Sequence, residues 1–287
     1  SANYAASTYC NLASLKQNND VLIIELPVAN EKKTQHRAHR IAPDICILTA
    51  IGHEHIERFH SIDNIIRLKT SIATGLPAGG KFIIPKDSEY YEQIVTALMR
   101  YPDINLLTFG SDRNCNACII DKRFHHFGWD VLAKIEDKII AYRVPFPEEY
   151  APNASLAELL CAYHLGMDIV KVATQYYSCI NFKTSGQLYL VNYQNKQFYL
   201  YDQSQRGGIE GYASFFKTLR YLKPEASGKK IVVTSGFVDH KDGETALLDY
   251  PYFQALIDAA NIDSLFTVEY FSEHINKPNQ CSEHSKC

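Results

Sequence analysis

The sequence predicts an α/β protein: a mostly parallel sheet with crossover helices, followed by a smaller Rossmann-like α/β domain. Apolar runs of strand length alternate with segments of helical periodicity, an order typical of parallel strands joined by helices. The alternation starts again near residue 179, and 287 residues are enough for two hydrophobic cores. We therefore expect two domains, at residues 1–178 and 179–287.

The first predicted domain opens with strands and helices in strict alternation. The apolar strands are at 21–26, 44–49, 81–84 and 105–109, and the amphipathic helices are at 31–41, 62–74 and 88–100. A hairpin is predicted next, because strands at 129–135 and 138–144 flank the turn-prone pair Glu136-Asp137. A helix at 153–165, capped by Asn153 or Ser155 and stopped by Gly166, and a short helix at 168–176 complete the domain.

The second predicted domain begins with a hairpin. Its elements are strands at 187–193 and 197–201, a helix at 209–222, a strand at 230–234, a helix at 251–260 and a strand at 264–268. This order again indicates a small α/β unit.

Composition narrows the class of protein. A net charge of −3 and a pI near 6.4 give little attraction to a polyanion, so we expect no nucleic-acid partner. No run of about 18 apolar residues is present, so we expect no membrane span. Several of the eight cysteines lie in apolar runs, where a free thiol packs as a small hydrophobe. We therefore expect a cytoplasmic protein.

A carboxylate and an imidazole near the ends of the first predicted strands indicate a metal site. Glu25 ends one strand, and His55 lies in the turn that follows the strand ending at Thr49. Ligands of parallel sheets bind at the carboxyl ends of strands, so these side chains are predicted to share a crevice suited to a divalent cation. The alternative is that Glu25 caps a loop and that His53 or His55 is an ordinary surface histidine.

Residues 21–72 resemble the central domain of the Mur ligases, a family of ATP-dependent enzymes that form amide bonds. In that family a strand ends in Glu, a helix leads to Pro-Asp and a strand ending in Thr, a turn holds Gly-x-x-His-x-Glu, and the next helix carries Lys. The matching residues here are Glu25, Pro43, Asp44, Thr49, Gly52, His55, Glu57 and Lys69.

The resemblance implies a catalytic centre. Glu25 and His55 would bind Mg²⁺, and Lys69 would be the lysine that several family members carbamylate to obtain an anionic metal ligand. The chemistry is consistent, because a free ammonium repels Mg²⁺ whereas a carbamate offers hard oxygen donors. The alternative for Lys69 is a solvated lysine on a helix. ATP would convert a small-molecule carboxylate to an acyl phosphate, which the amine of an amino acid or peptide would attack.

Weaker similarities imply further contacts. Asp87 is what remains of an Asn-x-Asp-Asp motif, here Pro85-Lys86-Asp87, and Asn153 matches the second Asn of His-Asn-x-x-Asn, which contacts the nucleotide. After the second hairpin, Asp202 and Ser204 resemble part of an Asp-Asp-Ser-Tyr-Asn turn, and Arg206 would bind a phosphate or carboxylate as a fork. Alternatively, Ser204 caps the next helix.

The family's P-loop is not found in this sequence. The one Gly-x4-Gly-Lys match, Gly75 to Lys81, precedes Phe82 and a predicted strand, whereas a P-loop opens a helix whose amide groups face the phosphates. We interpret the match as a false positive. The parent protein is expected to supply the P-loop in an additional N-terminal segment or domain.

Two other functions remain open. A noncatalytic Mur-like module would bind a nucleotide or partner without turnover, as the missing motifs suggest. A zinc-stabilised interaction protein would use Cys115-x2-Cys118 or Cys281-x2-His284-x2-Cys287, which have ligand-like spacing; ordinary free thiols are the alternative.

Overall fold

The computed structural model describes residues 12–13, 21–28, 30–53, 56–179, 186–204, 209–224, 228–234 and 243–267. The described residues up to Ile120 form one compact unit with Leu132–Ile140 and Asn153–Ile169. Asp121–Val131, Ala141–Pro152 and the described residues from Val170 onward form a second unit. The domain boundary at 178/179 stays a prediction. No helix among the described residues has both the length and the apolar character needed to cross a membrane.

A six-stranded sheet has its strands in chain order. They are β1 (Ile45–Ile47), β2 (Lys81–Pro85), β3 (Asn105–Gly110), β4 (Ala117–His125), β5 (Gly128–Ile135) and β6 (Lys138–Val144). β1 to β4 pair in parallel with their neighbours. Two-residue connections join β4 to β5 and β5 to β6, the length of a tight hairpin. The predicted mostly parallel sheet and the hairpin around Glu136-Asp137 are therefore confirmed.

The helices described in this part of the chain are α1 (Glu31–Ile41), α2 (Ile56–Phe59), α3 (Ile62–Thr70), α4 (Tyr91–Leu98) and α5 (Ala151–His164). Two of them, α1 and α3, begin at polar caps. Asn30 accepts the Lys33 N–H at 2.9 Å before α1, and Ser61 accepts the Asn64 N–H at 3.2 Å before α3, which satisfies amide groups that lack an intrahelical acceptor. Gly166, at φ 73°, follows α5 as predicted.

The core of the first unit is built around β2. Phe82, Ile83 and Ile84 are fully buried, as expected for a parallel strand covered on both faces. On one face, Phe82 and Ile84 pack with Ile66 of α3 and Ile94 of α4. Each large side chain buried in this way contributes roughly 1.5–3 kcal/mol relative to exposure.

The first predicted strand, at 21–26, is wrong. The structure gives this stretch no regular secondary structure and leaves Ile23 88% exposed. Apolar residues form a strand only when a neighbouring strand satisfies their backbone groups, and the pairings among described residues do not include this stretch. Its end is fixed by other contacts: Val28 packs against α3, and Arg37 of α1 donates to the Pro27 carbonyl at 2.8 Å.

Three predicted helix starts are also wrong. The helix expected at 88–100 begins at Tyr91. The helix expected at 153–165 begins at Ala151, so Asn153 lies in its first turn and neither Asn153 nor Ser155 is the cap. The first turn accommodates Pro152 because a proline there removes an N–H that has no intrahelical acceptor. The helix expected at 251–260 begins at Gly243 and contains Pro251.

The second unit contains a hairpin and a small parallel pair of strands. Its elements are α6 (Ile169–Thr174), β7 (Gln187–Tyr193), β8 (Lys196–Asp202), α7 (Ile209–Leu219), β9 (Ile231–Thr234), α8 (Gly243–Ala259) and β10 (Ser264–Thr267). β7 and β8 are antiparallel, and β9 and β10 are parallel. Val232 and Leu265 pack with Phe216 of α7 and Phe253 of α8. The predicted order of elements is confirmed.

A buried carboxyl group lies in the segment that precedes α5. Glu148 is only 6% exposed, and its Oε1 accepts the Tyr201 hydroxyl at 3.0 Å and the Gln203 amide at 3.3 Å. The Trp129 indole N–H reaches the carbonyls of Pro147 at 3.3 Å and Glu148 at 3.0 Å. Burial raises the pKa of the Glu148 carboxyl, and the hydrogen bonds oppose this only in part.

Glu148→Gln tests this burial through the pH dependence of stability. Because the folded pKa lies above the ordinary value of 4.5, the folded chain holds the proton more tightly and loses stability as the pH rises from 4.5 to the folded pKa. The amide does not titrate. We expect the free energy of unfolding of the variant to rise relative to wild type by up to about 1.4 kcal/mol per pH unit in this window.

Urea unfolding at a series of pH values from about 4 to about 8 measures this difference. Glu92→Gln, which changes an exposed glutamate of α4, is the control and should show no such trend. A pH-independent difference between Glu148→Gln and wild type would contradict the proposed burial of a titrating group.

Candidate functional site

The carboxyl ends of β1, β2 and β3 lie at one edge of the sheet. Parallel pairing joins Ile47 to Ile83 and Ile84 to Thr108, so the residues that follow these strands leave the sheet side by side. This is the edge where open parallel sheets bind ligands. The loops there begin with Leu48, Lys86 and Ser111.

Lys69 of α3 faces the loop that follows β1. Its Nζ donates to the Ala50 carbonyl at 3.1 Å, and the side chain is half-buried. The next loop residue, Ile51, belongs to an apolar cluster that also contains Val28, three residues after the exposed Glu25. One cluster thus supports the stretch that carries Glu25, the loop after β1 and the helix that carries Lys69.

Asp87, after β2, organises the loop after β3. Its carboxylate accepts the Ser111 N–H at 2.8 Å and the Ser111 hydroxyl at 2.9 Å. A Cβ at Gly110 would lie 2.6 Å from Asp87 Oδ1, so the close approach of this loop requires glycine. Asn153, in the first turn of α5, places its amide nitrogen 3.5 Å from Asp87 Oδ2. The structure therefore brings Asp87 and Asn153 together.

A neighbouring ion pair lies at the same edge. Lys86 Nζ is 3.0 Å from Asp112 Oδ2, and the hydrogen bond to Asp112 raises the pKa of Lys86. The pKa of Asp112 is lowered, first by the Asn114 backbone N–H and then by Lys86. Both groups are therefore charged at neutral pH.

In the second unit, Asp202 and Ser204 form a local turn. The Ser204 N–H donates to Asp202 Oδ1 at 2.9 Å, and hydrogen bonds from the side chain and N–H of Ser204 lower the pKa of Asp202. Asp202 is therefore an anion at neutral pH. Ser204 lies five positions before α7, which begins at Ile209, and its role stays a prediction.

The family profile described as Mur ligase middle domain matches residues 2–161, more than half of the chain. The chain belongs to the Mur ligase family. The family recognised from the sequence motifs is thereby confirmed.

Individual relatives agree with this assignment. The UDP-N-acetylmuramoyl-tripeptide--D-alanyl-D-alanine ligase of Rickettsia prowazekii is 26% identical over 189 residues, which cover 65% of this chain and 41% of the relative. A solved UDP-N-acetylmuramoylalanyl-D-glutamyl-2,6-diaminopimelate--D-alanyl-D-alanyl ligase from Acinetobacter baumannii matches with a TM-score of 0.73 and 16% identity, covering 92% of this chain and 54% of that one.

The MurF ligase of Thermotoga maritima, solved in complex with ADP, matches with a TM-score of 0.63 and 17% identity over 84% of this chain and 52% of that one. At these identities the structural matches show the fold alone. The chain spans about two fifths of the length of the Rickettsia protein and about half the length of each solved ligase.

Some predicted site residues lie outside the described residues. These are His55, Arg206 and the Cys281-His284-Cys287 triplet, and the side chain of Glu57 is also not described. In the part of the chain that the structure describes, no group of three or more His, Cys, Asp or Glu side chains could hold a metal ion. The roles of Glu25, His55 and Lys69 therefore stay predictions.

The Cys115-x2-Cys118 pattern and the P-loop-like match have ordinary structural explanations. Cys115 and Cys118 are buried free thiols, and burial raises the pKa of the Cys115 thiol. Lys81 opens β2, so the Gly-x4-Gly-Lys match leads into a strand, as interpreted. A Cβ at Gly75 would lie 2.3 Å from the Ala38 carbonyl; this glycine permits helix packing.

Sequence reasoning missed several residues at the sheet edge and in the second unit. Ser111 and Asp112 fall in a loop with no motif, although a polar pair directly after a predicted strand was a usable signal. Glu148 was missed because it lies just outside the His-Asn-x-x-Asn motif, whose His-Asn pair is replaced here by Glu149-Tyr150. Nothing in the local sequence indicates that its carboxyl group is buried.

Asp87→Ala tests the edge loop. We expect the variant to lose about 1 kcal/mol of unfolding free energy, because the Ser111 N–H and hydroxyl lose an anionic acceptor near the surface. Urea unfolding measures the loss, and Asp103→Ala, at the opposite edge of the sheet and exposed, is the matched control. Equal stability of the two variants would show that Asp87 does not hold this loop.

Proposed function

We propose that the chain forms the middle and carboxy-terminal parts of an ATP-dependent ligase that joins a carboxylate to an amine. Membership of the Mur ligase family is the observation that carries the proposal. The substrate carboxylate attacks the γ-phosphorus of ATP, giving an acyl phosphate and ADP. The amine then attacks the acyl carbon, and the tetrahedral intermediate releases inorganic phosphate and a proton.

The cluster around Ile51 supports the assignment of Glu25 and Lys69 to one metal-binding edge, and the Gly-x-x-His-x-Glu motif assigns His55 to the same edge. A glutamate carboxylate and a lysine carbamate are hard oxygen donors, the kind that Mg²⁺ prefers, and the imidazole of His55 would complete the set. When bound, Mg²⁺ would neutralise negative charge on the reacting phosphate and carboxylate. The chain itself positions the reactants and supplies no covalent nucleophile.

Asp87 and Asn153 support a nucleotide site at the same edge of the sheet. An amide that donates one N–H to Asp87 keeps an oxygen acceptor and a second N–H for a ligand. This pair of groups is complementary to an exocyclic amine beside a ring nitrogen, as in adenine. We assign Asn153 to contact with the nucleotide base, and Asp87 to orienting the Asn153 side chain. Asp202, Ser204 and Arg206 of the second unit are assigned to contacts with phosphate or substrate.

A P-loop from polypeptide outside these 287 residues would complete the ATP site, since the matches cover only 54% and 52% of the solved ligases. The expected partners are small molecules, a carboxylate and an amino acid or peptide amine, in the cytoplasm. The name of the Rickettsia relative makes UDP-N-acetylmuramoyl-tripeptide and D-alanyl-D-alanine the first substrates to test.

The second candidate is a Mur-like binding module without turnover. It is favoured by one observation: Pro85-Lys86-Asp87 stands where the family has Asn-x-Asp-Asp, so the motif is altered. ADP formation that requires both substrates would exclude it. Nucleotide binding without ADP formation would support it.

Glu25→Ala and His55→Ala test the metal assignment. In the full-length gene product we expect each to lower amine-dependent ADP formation at least ~100-fold, because charge neutralisation at the reacting groups is lost. The free energy of unfolding of Glu25→Ala in urea should remain within about 0.5 kcal/mol of wild type, because Glu25 is exposed. Glu89→Ala, an exposed glutamate outside the motif, is the control. Turnover like wild type in both variants would refute the assignment.

Lysine carbamylation makes activity depend on dissolved carbon dioxide. We expect ADP formation to fall in buffer depleted of carbon dioxide and to return on adding bicarbonate, because the carbamate on Lys69 forms reversibly from it. Lys69→Ala should be inactive at any bicarbonate concentration. Activity that is unaffected by depletion would mean that Lys69 acts, if at all, as a plain ammonium group.

A further inference from the structure

The hydrogen bonds of Glu148 hold both neighbours of Asp202. Tyr201 and Gln203 reach the same oxygen, Glu148 Oε1, and also contact each other at 2.6 Å. Residues two apart in an extended chain point to one side, and the residue between them points to the other. Glu148 therefore anchors the residues on both sides of Asp202, whose own carboxylate accepts the Ser204 N–H.

We propose that Glu148 is a positioning residue that orients Asp202 toward the substrates of the ligase. The proposal rests on the proposed function, in which Asp202 is a contact for phosphate or substrate. A carboxylate is suited to this position because one oxygen can accept two hydrogen bonds at once. It thereby links Tyr201, at the end of β8, to Gln203, just beyond it.

Several contacts around Glu148 restrict its position. A Cβ at Gly186, which has φ 93°, would lie 2.2 Å from Glu148 Oε1. The Gly186 N–H donates to the Asp202 carbonyl at 2.8 Å, and the Tyr201 ring stacks on Phe215 of α7 at 5.8 Å. Tyr201 is the titratable contact from β8; Gln203, Gly186 and the Trp129 indole carry no charge.

The chain contains a single tryptophan, and it reports on this residue. The Trp129 indole donates to the Glu148 carbonyl, so its fluorescence responds when the segment moves. Three variants test whether the hydrogen-bond acceptor at position 148 and its placement hold the turn around Asp202. Glu148→Leu removes the acceptor, Glu148→Gln keeps an acceptor oxygen, and Gly186→Ala displaces the carboxylate without altering its chemistry; Tyr193→Phe, an exposed tyrosine of the same hairpin, is the control.

The first measurement is independent of ligase activity. In the chain itself we expect Glu148→Leu and Gly186→Ala to raise amide hydrogen exchange at Ser204 about tenfold, the loss expected for roughly one hydrogen bond, and to shift Trp129 emission. Glu148→Gln and Tyr193→Phe should stay close to wild type. Unchanged exchange and emission in Glu148→Leu would overturn the proposal.

The second measurement separates positioning from simple structural support. In the full-length gene product, Glu148→Leu should raise KM for one substrate about tenfold with a smaller change in kcat. Glu148→Gln should have a KM close to that of wild type. In a double-mutant cycle, Glu148→Leu should add nothing to Asp202→Asn, since both act through the same side chain. Additive effects would overturn the proposal. An inactive wild type would instead refute the proposed function, and hydrogen exchange would still decide whether Glu148 holds the turn.

Discussion

Parallel pairing of β1, β2 and β3 determines where chemistry can occur in the first unit. Because the three strands run in one direction, the loops that follow them all leave at one edge, and crossover helices are forced onto the faces. Buried side chains such as Ile83 hold the strands in this arrangement. Lys69, Asp87 and Asn153 come from distant parts of the sequence, and each is placed at or beside a loop of this edge by the sheet or by a helix packed in the same unit.

Local signals predicted most elements of the fold. The helix at Glu31–Ile41 was predicted to the residue, because its amphipathic pattern agrees with the burial of Thr34 and Ala38. The conformation of the stretch at 21–26 was predicted wrongly. Composition reveals its apolar character but not whether a neighbouring strand is present to pair with it. The start of α5 was misplaced because a proline in a first turn and an Asn cap give competing signals, and only backbone geometry decides between them.

The residues of the candidate site also divide into those that the local sequence predicted and those that it did not. Residues in motifs, such as Asp87 and Asn153, were found by their types and spacing, although the contact between them joins positions 66 apart. Glu148 was not found, because its role is created by side chains 53 and 55 positions later. From the sequence, two adjacent glutamates are expected to be exposed to solvent. What makes it different is burial by the hairpin, which is a property of the tertiary fold.

The departures from the Mur pattern bear on whether the protein retains chemistry. A motif that decays without function tends to leave charged groups that contribute nothing to their surroundings. Here Lys86, within the altered motif, has Asp112 at 3.0 Å, and Glu148, next to the replaced His-Asn pair, is buried with two donors on one oxygen. Burying a carboxyl group costs free energy unless its partners are well placed. Such arrangements indicate a remodelled site more than an eroded one, and they favour the ligase over the binding module.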